Sequence, residues 1–297
     1  MPAVVRAHRA GKDVGIPTIN PYLYNYKTNI STKCRQKDLF LLFLVKSAVS
    51  HFDRRSSIRS TWGNEDSLLT NFTFKTIFLV GEQKNANPGL QKILEHEIDY
   101  YKDILQMSFT DSYYNNTQKT VGGIHWAVHN CNHARFVMFV DDDFFVATHF
   151  LVRYLSTLSL AQQKTLFEGF LQNDRPFRFP LCSWYVKYEY YPYDKYPPFL
   201  SAGAMITSMH LLKDIQIAMQ YTKNFIFDDI FLAIVVFKLG ITPQNNVNIF
   251  IWTRVGTDSK EFHSMIASHH YNNDYIMQLA WQAHVNFSRK VIQLPNL

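Results

Sequence analysis

The sequence predicts an α/β fold, and three observations carry that expectation. Short apolar runs of strand length alternate with longer segments of helical period, the short runs are rich in β-branched and aromatic residues, and turn formers bound them. With 297 residues and no polar or proline-rich run dividing the middle, the chain reads as one domain large enough to bury a sizeable core. The first 35 residues read as irregular. Strands are then expected at residues 40–45, 76–80, 136–140 and 248–252. Between them, Leu90, Ile93, Leu94, Ile98 and Tyr101 form one helical stripe, and Val121, Ile124, Val128 and Cys131 repeat the spacing, as do Leu151, Leu155 and Leu158. Later, Asp228 or its neighbour is placed to N-cap a helix with Ile230, Ile234 and Phe237 on one face and Gly240 at its end. A last helix is expected over about 274–287. The stretch 175–198, aromatic and punctuated by proline, is too long for a simple connector and reads as a functional loop.

Charge narrows the function classes. Thirty basic against 24 acidic side chains leave a net +6, which suits an anionic ligand, yet no Lys/Arg block interleaved with aromatics forms a nucleic-acid stripe. The nearest cluster, Arg54, Arg55 and Arg59, reads by charge alone as a solvated loop. The longest uncharged runs, at 39–45 and 230–237, are less than half of what a bilayer span requires. Cys34, Cys131 and Cys182 show no CxxC spacing, which argues against structural zinc and leaves room for one pair and one free thiol. Sequons at Asn29, Asn71, Asn115 and Asn286 matter only in a secretory lumen. There is no GxSxG, HExxH, P-loop or GxGxxG motif.

Three groups of residues suggest chemistry. In FVMFVDDDFFV a buried-type strand runs into Asp141, Asp142 and Asp143, and adjacent carboxylates at the mouth of an apolar strand repel unless a cation or solvent compensates. Ligands of open α/β sheets bind beyond such strand ends. Alternate carboxylates there suit Mg²⁺ or Mn²⁺ shared with phosphate oxygens and water; the alternative is a solvated acidic turn. In NFIFDDIFLAI, Asp228 reads as a cap, while Asp229 suits a general base if burial raises its pKa. In IASHHY, His269 or His270 reads as a surface residue or as an imidazole ligand for a borderline metal.

Taken in chain order, RRSSIRSTWG, IFLVG, DILQMSFTDSYYNNTQKT, Trp126 with Cys131, FVMFVDDDFFV, YPPFLSAGAMITS, FDDIFLA and IASHHY resemble the inverting β1,3-galactosyltransferase and N-acetylglucosaminyltransferase family, over residues 33 to about 284. The variants FVDDDFFV, FRFPLCSWYV, LSAGAMI and KNFIFDDIFLAIVVFKLGI look most like Brainiac-type β1,3-N-acetylglucosaminyltransferases. The resemblance implies a GT-A-like nucleotide-sugar-binding sheet flanked by helices over 36–297, with acceptor-binding elements in its second half, after a stem-like lumenal segment at 1–35. It implies a UDP-sugar donor, N-acetylglucosamine first and galactose second, with Mn²⁺ or Mg²⁺ as cofactor. The acceptor would be a glycan, glycolipid or glycoprotein. It further implies a Golgi membrane setting, through an anchor not present in this chain.

By position, the resemblance makes Asp143, Asp141 and His269 metal ligands and Asp229 the catalytic base. Arg55, Arg59, Lys119, Asp141, Asp142 and Gly203 fall on the donor side, the basic residues facing either the diphosphate or fold-internal carboxylates. Trp184 and Tyr196 fall on the acceptor side. Asp228 stands where the family has Glu, Ala233 where it has Gly and Leu200 where many relatives have Cys. A fold-retaining, catalytically silent glycan binder is the reading from another class.

Overall fold

A computed structural model describes residues 1–20, 25–36, 38–67, 72–83 and 87–293. Its strands are β1 (Leu39–Lys46), β2 (Thr73–Glu82), β3 (Ile104–Thr110), β4 (Phe136–Asp141), β5 (Phe145–Val146), β6 (Phe167–Gln172), β7 (Phe199–Ser208), β8 (Gln244–Asn245), β9 (Ile249–Phe250) and β10 (Ala267–Ser268). Its helices are α1 (Pro2–Arg9), α2 (Phe52–Ser60), α3 (Pro88–Tyr101), α4 (Asn116–Asn130), α5 (Thr148–Thr157), α6 (Leu160–Lys164), α7 (Met209–Met219), α8 (Asp228–Leu239) and α9 (Asp274–Gln293). The main sheet has the order β3-β2-β1-β4-β7-β6-β8, and a three-stranded sheet has the order β5-β10-β9.

The first four strands pair in parallel, so their carboxyl ends share one edge. All eight residues of β1 are buried, as a strand covered on both faces requires, which is why it reads as a continuous apolar run and not an alternating one. β7 then enters antiparallel to β4, pairing Val140 with Ala204 and bringing the SAGAM turn alongside the acid triplet. Two clusters of buried side chains fill the two sides of the sheet, one containing α4, α7 and α8, the other containing Phe43, Trp62 and Phe145.

Four local expectations change. The first 35 residues contain α1, an eight-residue helix whose Val5 is buried and whose Arg9 pairs with Asp214 at 2.8 Å. So short a helix is marginal alone and exists through docking, which the sequence does not display. Residues 52–60, expected as a solvated loop, form α2, because its arginines meet acids supplied from distant segments. Asp228 is the first helical residue of α8 and makes no cap; Phe227 holds the cap position and the Asp228 carboxylate bonds elsewhere. The strand expected at 248–252 shrinks to the two residues of β9. Gly240 does end α8 in the left-handed conformation, φ 75°. Cys34 and Cys131 form a disulfide, and Cys182 is free. No helix among the described residues is long and apolar enough to cross a membrane. Of the sequons, Asn71 lies outside the described residues.

Candidate active site

A cavity of about 350 Å³ opens where β1 and β4 end and β7 and α8 begin. Its walls include Lys46, Tyr113, Asp141, Phe144, Trp184, Tyr196, Gly203, Asp228, Asp229, Trp252 and His269. The long loop expected to be functional supplies Arg175, Phe177, Trp184 and Tyr196. Trp184 is half-exposed and its indole N–H donates to the Tyr113 hydroxyl at 2.8 Å, which fixes the plane of the ring.

Lys46 organises the floor. It is the single charge at the end of an apolar strand, and its ammonium lies 3.0 Å from Asp141, 3.1 Å from Asp228 and 2.9 Å from the Ala202 carbonyl. Burial alone would discharge it, but the two carboxylates hold it protonated. Asp228 also accepts from the Thr120 hydroxyl at 2.7 Å. Burial works to raise its pKa, yet Lys46 and Thr120 bring it below the ordinary carboxylate range.

Asp229, the next residue, faces the cavity without such a partner. Its Oδ1 accepts the Ile230 amide at 2.8 Å, but burial first and the charge of Asp228 second push its pKa up to about 7. Two adjacent carboxylates are thus driven apart, one locked as a charge and one poised to take a proton, the separation that assigns acid–base roles in catalytic pairs.

On the opposite wall, His269 follows β10. Its Nδ1 lies 2.9 Å from the Ile251 carbonyl, which only accepts, so Nδ1 carries the hydrogen and Nε2 points toward Asp143 Oδ1 at 3.4 Å. The Asp143 carboxylate beside it raises the affinity of the imidazole for a proton, against a smaller effect of burial. Asp143 Oδ1 is buried and makes no hydrogen bond. His270 takes a left-handed φ of 68°, rare for a residue with a side chain, and the Tyr271 amide then bonds the Asp143 carbonyl at 2.8 Å. Phe144 stacks on the His269 ring at 4.7 Å, and a Cβ on Gly203 would come within 2.6 Å of that phenyl ring. Gly203 therefore leaves room for Phe144 to hold His269.

An orphaned buried carboxylate oxygen beside an imidazole whose other nitrogen is tied to a carbonyl is a donor set that fits a divalent cation such as Mn²⁺ or Mg²⁺, with phosphate oxygens and water completing the shell. Among the described residues no three His, Cys, Asp or Glu side chains converge as a complete ligand set. Asp141, expected beside Asp143 and His269, instead turns to Lys46.

Asp141, Asp229, His269, Gly203, Trp184 and Tyr196 thus gather around one cavity, with Asp143 behind His269. Four expected donor-side residues do not line it. Asp142 is buried and bound by His51 and Arg54, each at 2.8 Å; burial would raise its pKa, but these hydrogen bonds hold it below the usual range. Successive residues leaving a strand point to opposite sides, so the middle acid of the triplet anchors the turn from behind. Arg55 is fully buried, bonding Glu97 at 2.6 and 2.9 Å and the 47–49 loop through Ser47, Ala48 and Val49. Arg59 bonds Asp103 twice at 2.8 Å and Glu97 at 2.7 Å. Lys119 reaches the Ser47 carbonyl at 2.7 Å and Asp111 at 2.8 Å. Of the two partners the resemblance allowed these cations, the structure supplies the fold-internal carboxylates. Lys46 is the site residue that sequence reasoning missed; its signal is the one charge in LFLLFLVK.

Asp141 at the end of β4 and Asp228 and Asp229 at the start of α8 thus face one cavity, at the strand ends where open α/β sheets bind their ligands. The galactosyltransferase family model matches residues 53–247. The Drosophila melanogaster beta-1,3-galactosyltransferase brn is 35% identical over 81% of this chain and 73% of its own length. Human beta-1,3-galactosyltransferase 1 is 33% identical, covering 79% and 71%, and the human lactosylceramide 1,3-N-acetyl-beta-D-glucosaminyltransferase is 35% identical, covering 75% and 61%. The chain belongs to the galactosyltransferase family and is a glycosyltransferase.

Proposed function

We propose that the chain transfers a sugar from a UDP-sugar to the 3-hydroxyl of a sugar on a glycan, glycolipid or glycoprotein acceptor, with inversion at the anomeric carbon and with Asp229 as base. The observation that carries this reading is the Asp229 carboxyl, pushed up to about 7 and facing the cavity whose other wall holds His269. A base with that pKa is half ionised near neutrality and regains a proton readily.

The acceptor lies against Trp184 and Tyr196, whose flat faces suit a pyranose ring. Asp229 takes the proton of the acceptor hydroxyl as its oxygen bonds to C1 of the donor sugar. The bond from C1 to the diphosphate breaks in the same displacement, its electron pair leaving with UDP, and configuration inverts. Lys46 keeps Asp228 charged, and the Asp228 charge keeps Asp229 basic. Asp143 and His269 would hold a divalent cation, which when bound supplies positive charge to the departing diphosphate. Tryptophan, tyrosine and the 175–198 loop limit water at the reacting carbon.

N-acetylglucosamine is the donor sugar we favour, in line with the name of the human lactosylceramide 1,3-N-acetyl-beta-D-glucosaminyltransferase; galactose is the second reading, supported by the names of the other two relatives. The Cys34–Cys131 disulfide supports an oxidising compartment such as the Golgi lumen. The test is an assay of purified protein with Mn²⁺, UDP-N-acetylglucosamine or UDP-galactose and a panel of β-linked acceptors. Release of UDP with a β1,3-linked product is expected, fastest from UDP-N-acetylglucosamine. Faster transfer from UDP-galactose reverses the donor choice, and no UDP release from any donor defeats the reading.

A further inference from the structure

A second, larger cavity of about 640 Å³ lies beside the first. Three chain segments send neighbouring residues into the two: Tyr113 and Tyr114, Trp184 and Tyr185, Phe227 and Ile226, the first of each pair lining the catalytic cavity and the second the larger one. The wall between them is pinned by the Trp184–Tyr113 hydrogen bond and by the Tyr114 hydroxyl, which donates to the Ser183 carbonyl at 3.3 Å. None of the residues that hold Asp229, Asp143 or His269 borders the larger cavity.

We infer that this cavity binds the part of a glycan acceptor that lies beyond the sugar receiving the transfer, a proposal that rests on the glycosyl-transfer reading. Its walls alternate aromatic faces (Tyr114, Tyr185, Tyr190) with polar groups (Gln118, Lys187). Tyr190 is held in place by its hydroxyl, which donates to the Asn224 carbonyl at 3.0 Å, and by Phe225 at 5.3 Å between ring centroids. A sugar chain offers both the C–H faces that lie on tyrosine rings and the hydroxyls that bond an amide and an ammonium. An acyl chain in the same place would strip water from Gln118 and Lys187 without replacing those bonds. Continuity with the catalytic cavity through the three shared segments makes the acceptor the occupant. A chain of two or more sugars would then cover both cavities, and specificity would depend on acceptor length as well as on the terminal sugar.

The test compares kcat/KM for methyl monosaccharides with that for methyl di- and trisaccharides sharing the same terminal β-linked galactose, glucose, mannose or N-acetylhexosamine, and for an octyl monosaccharide. It uses the whole chain and two variants, Gln118→Trp, which fills the cavity from the exposed face of α4, and Lys187→Ala. The preference of the unaltered protein for the trisaccharide over the monosaccharide is expected to fall by roughly five- to tenfold in Gln118→Trp, and by less in Lys187→Ala. An unchanged preference overturns the inference, as does a preference that follows the octyl group and not the number of sugars. Saturation-transfer NMR with the trisaccharide alone separates this from the catalytic reading. Contact to the distal sugars that is lost in Gln118→Trp supports the cavity even in a protein with no turnover, and absence of any such contact in the unaltered protein overturns it.

Discussion

Lys46 and Asp228 meet at 3.1 Å across 182 residues of sequence, joining the end of the first strand to the first turn of α8. Both are buried, and the pair fixes the peptide that carries Asp229 relative to the sheet edge that carries the acid triplet.

Removing one member of such a pair leaves a buried charge uncompensated. Lys46→Met is expected to lower stability by about 3–5 kcal/mol, measured by urea unfolding at pH 7. The pH dependence follows from the two shifts. Asp228 has a depressed pKa, so its contribution is present above the ordinary carboxylate range and is lost as pH falls through the depressed value. Lys46 has a raised pKa, so its contribution is present below the ordinary lysine range and is lost only as pH rises through the raised one. Asp141, the other carboxylate on Lys46, is raised by burial to about 6, so the Lys46→Met penalty should be level from about pH 7 to 9 and shrink as pH falls below that.

Catalysis should titrate inside that stable window. As the proposed base, Asp229 acts only when ionised, and burial pushes its pKa up to about 7. The rate should rise with pH, roughly tenfold per unit below that value, and level off above it. A kcat/KM profile that is flat from pH 5.5 to 8.5 would argue that another group takes the proton.

Gly203 offers a test of the opposite wall. Gly203→Ala drives a methyl group into the Phe144 ring, which must shift against His269. Overpacking of this kind costs about 1–3 kcal/mol and should displace the imidazole, weakening Mn²⁺ binding measured by calorimetry in the presence of UDP. Phe144→Leu combined with Gly203→Ala should recover part of the stability; a fully additive loss would mean that the two side chains do not compete for one space.

Arg55 separates fold-internal from donor-binding roles. It is fully buried and paired with Glu97 in α3. Arg55→Met is expected to lower the melting temperature sharply, consistent with a loss of about 3–5 kcal/mol, while the KM for the UDP-sugar measured at low temperature stays within about twofold. A large rise in donor KM with unchanged stability would return this arginine to the diphosphate.

Much of the sheet is legible because burial on both faces turns a strand into a contiguous apolar run: β1, β2 and β4 stand out for that reason. β3 and β7 are harder to see, since ILQMSFT and FLSAGAMITS are broken by polar or small residues, which in β7 (Ser201, Ala202 and Gly203) line the cavity. In the site, the acid triplet, Asp229 and His269 were visible as residue types in unusual settings. Their division of labour was not. Whether Asp142 faces the cavity or the back of the turn depends on His51 and Arg54, and whether an arginine cluster is solvated or buried depends on Glu97 and Asp103. Such partners come from distant segments, so local charge misread α2 as a loop. Lys46 escaped for the same reason, as a buried cation is stable only with carboxylates that the chain supplies much later.

The most direct measurement is single-turnover transfer by Asp229→Asn, paired with UDP affinity in Mn²⁺ by calorimetry. The rate of transfer should fall by about 10²–10⁴-fold with UDP binding retained, since the amide keeps the shape of the wall but takes no proton. Transfer at the unaltered rate would contradict the assignment of Asp229 as the base.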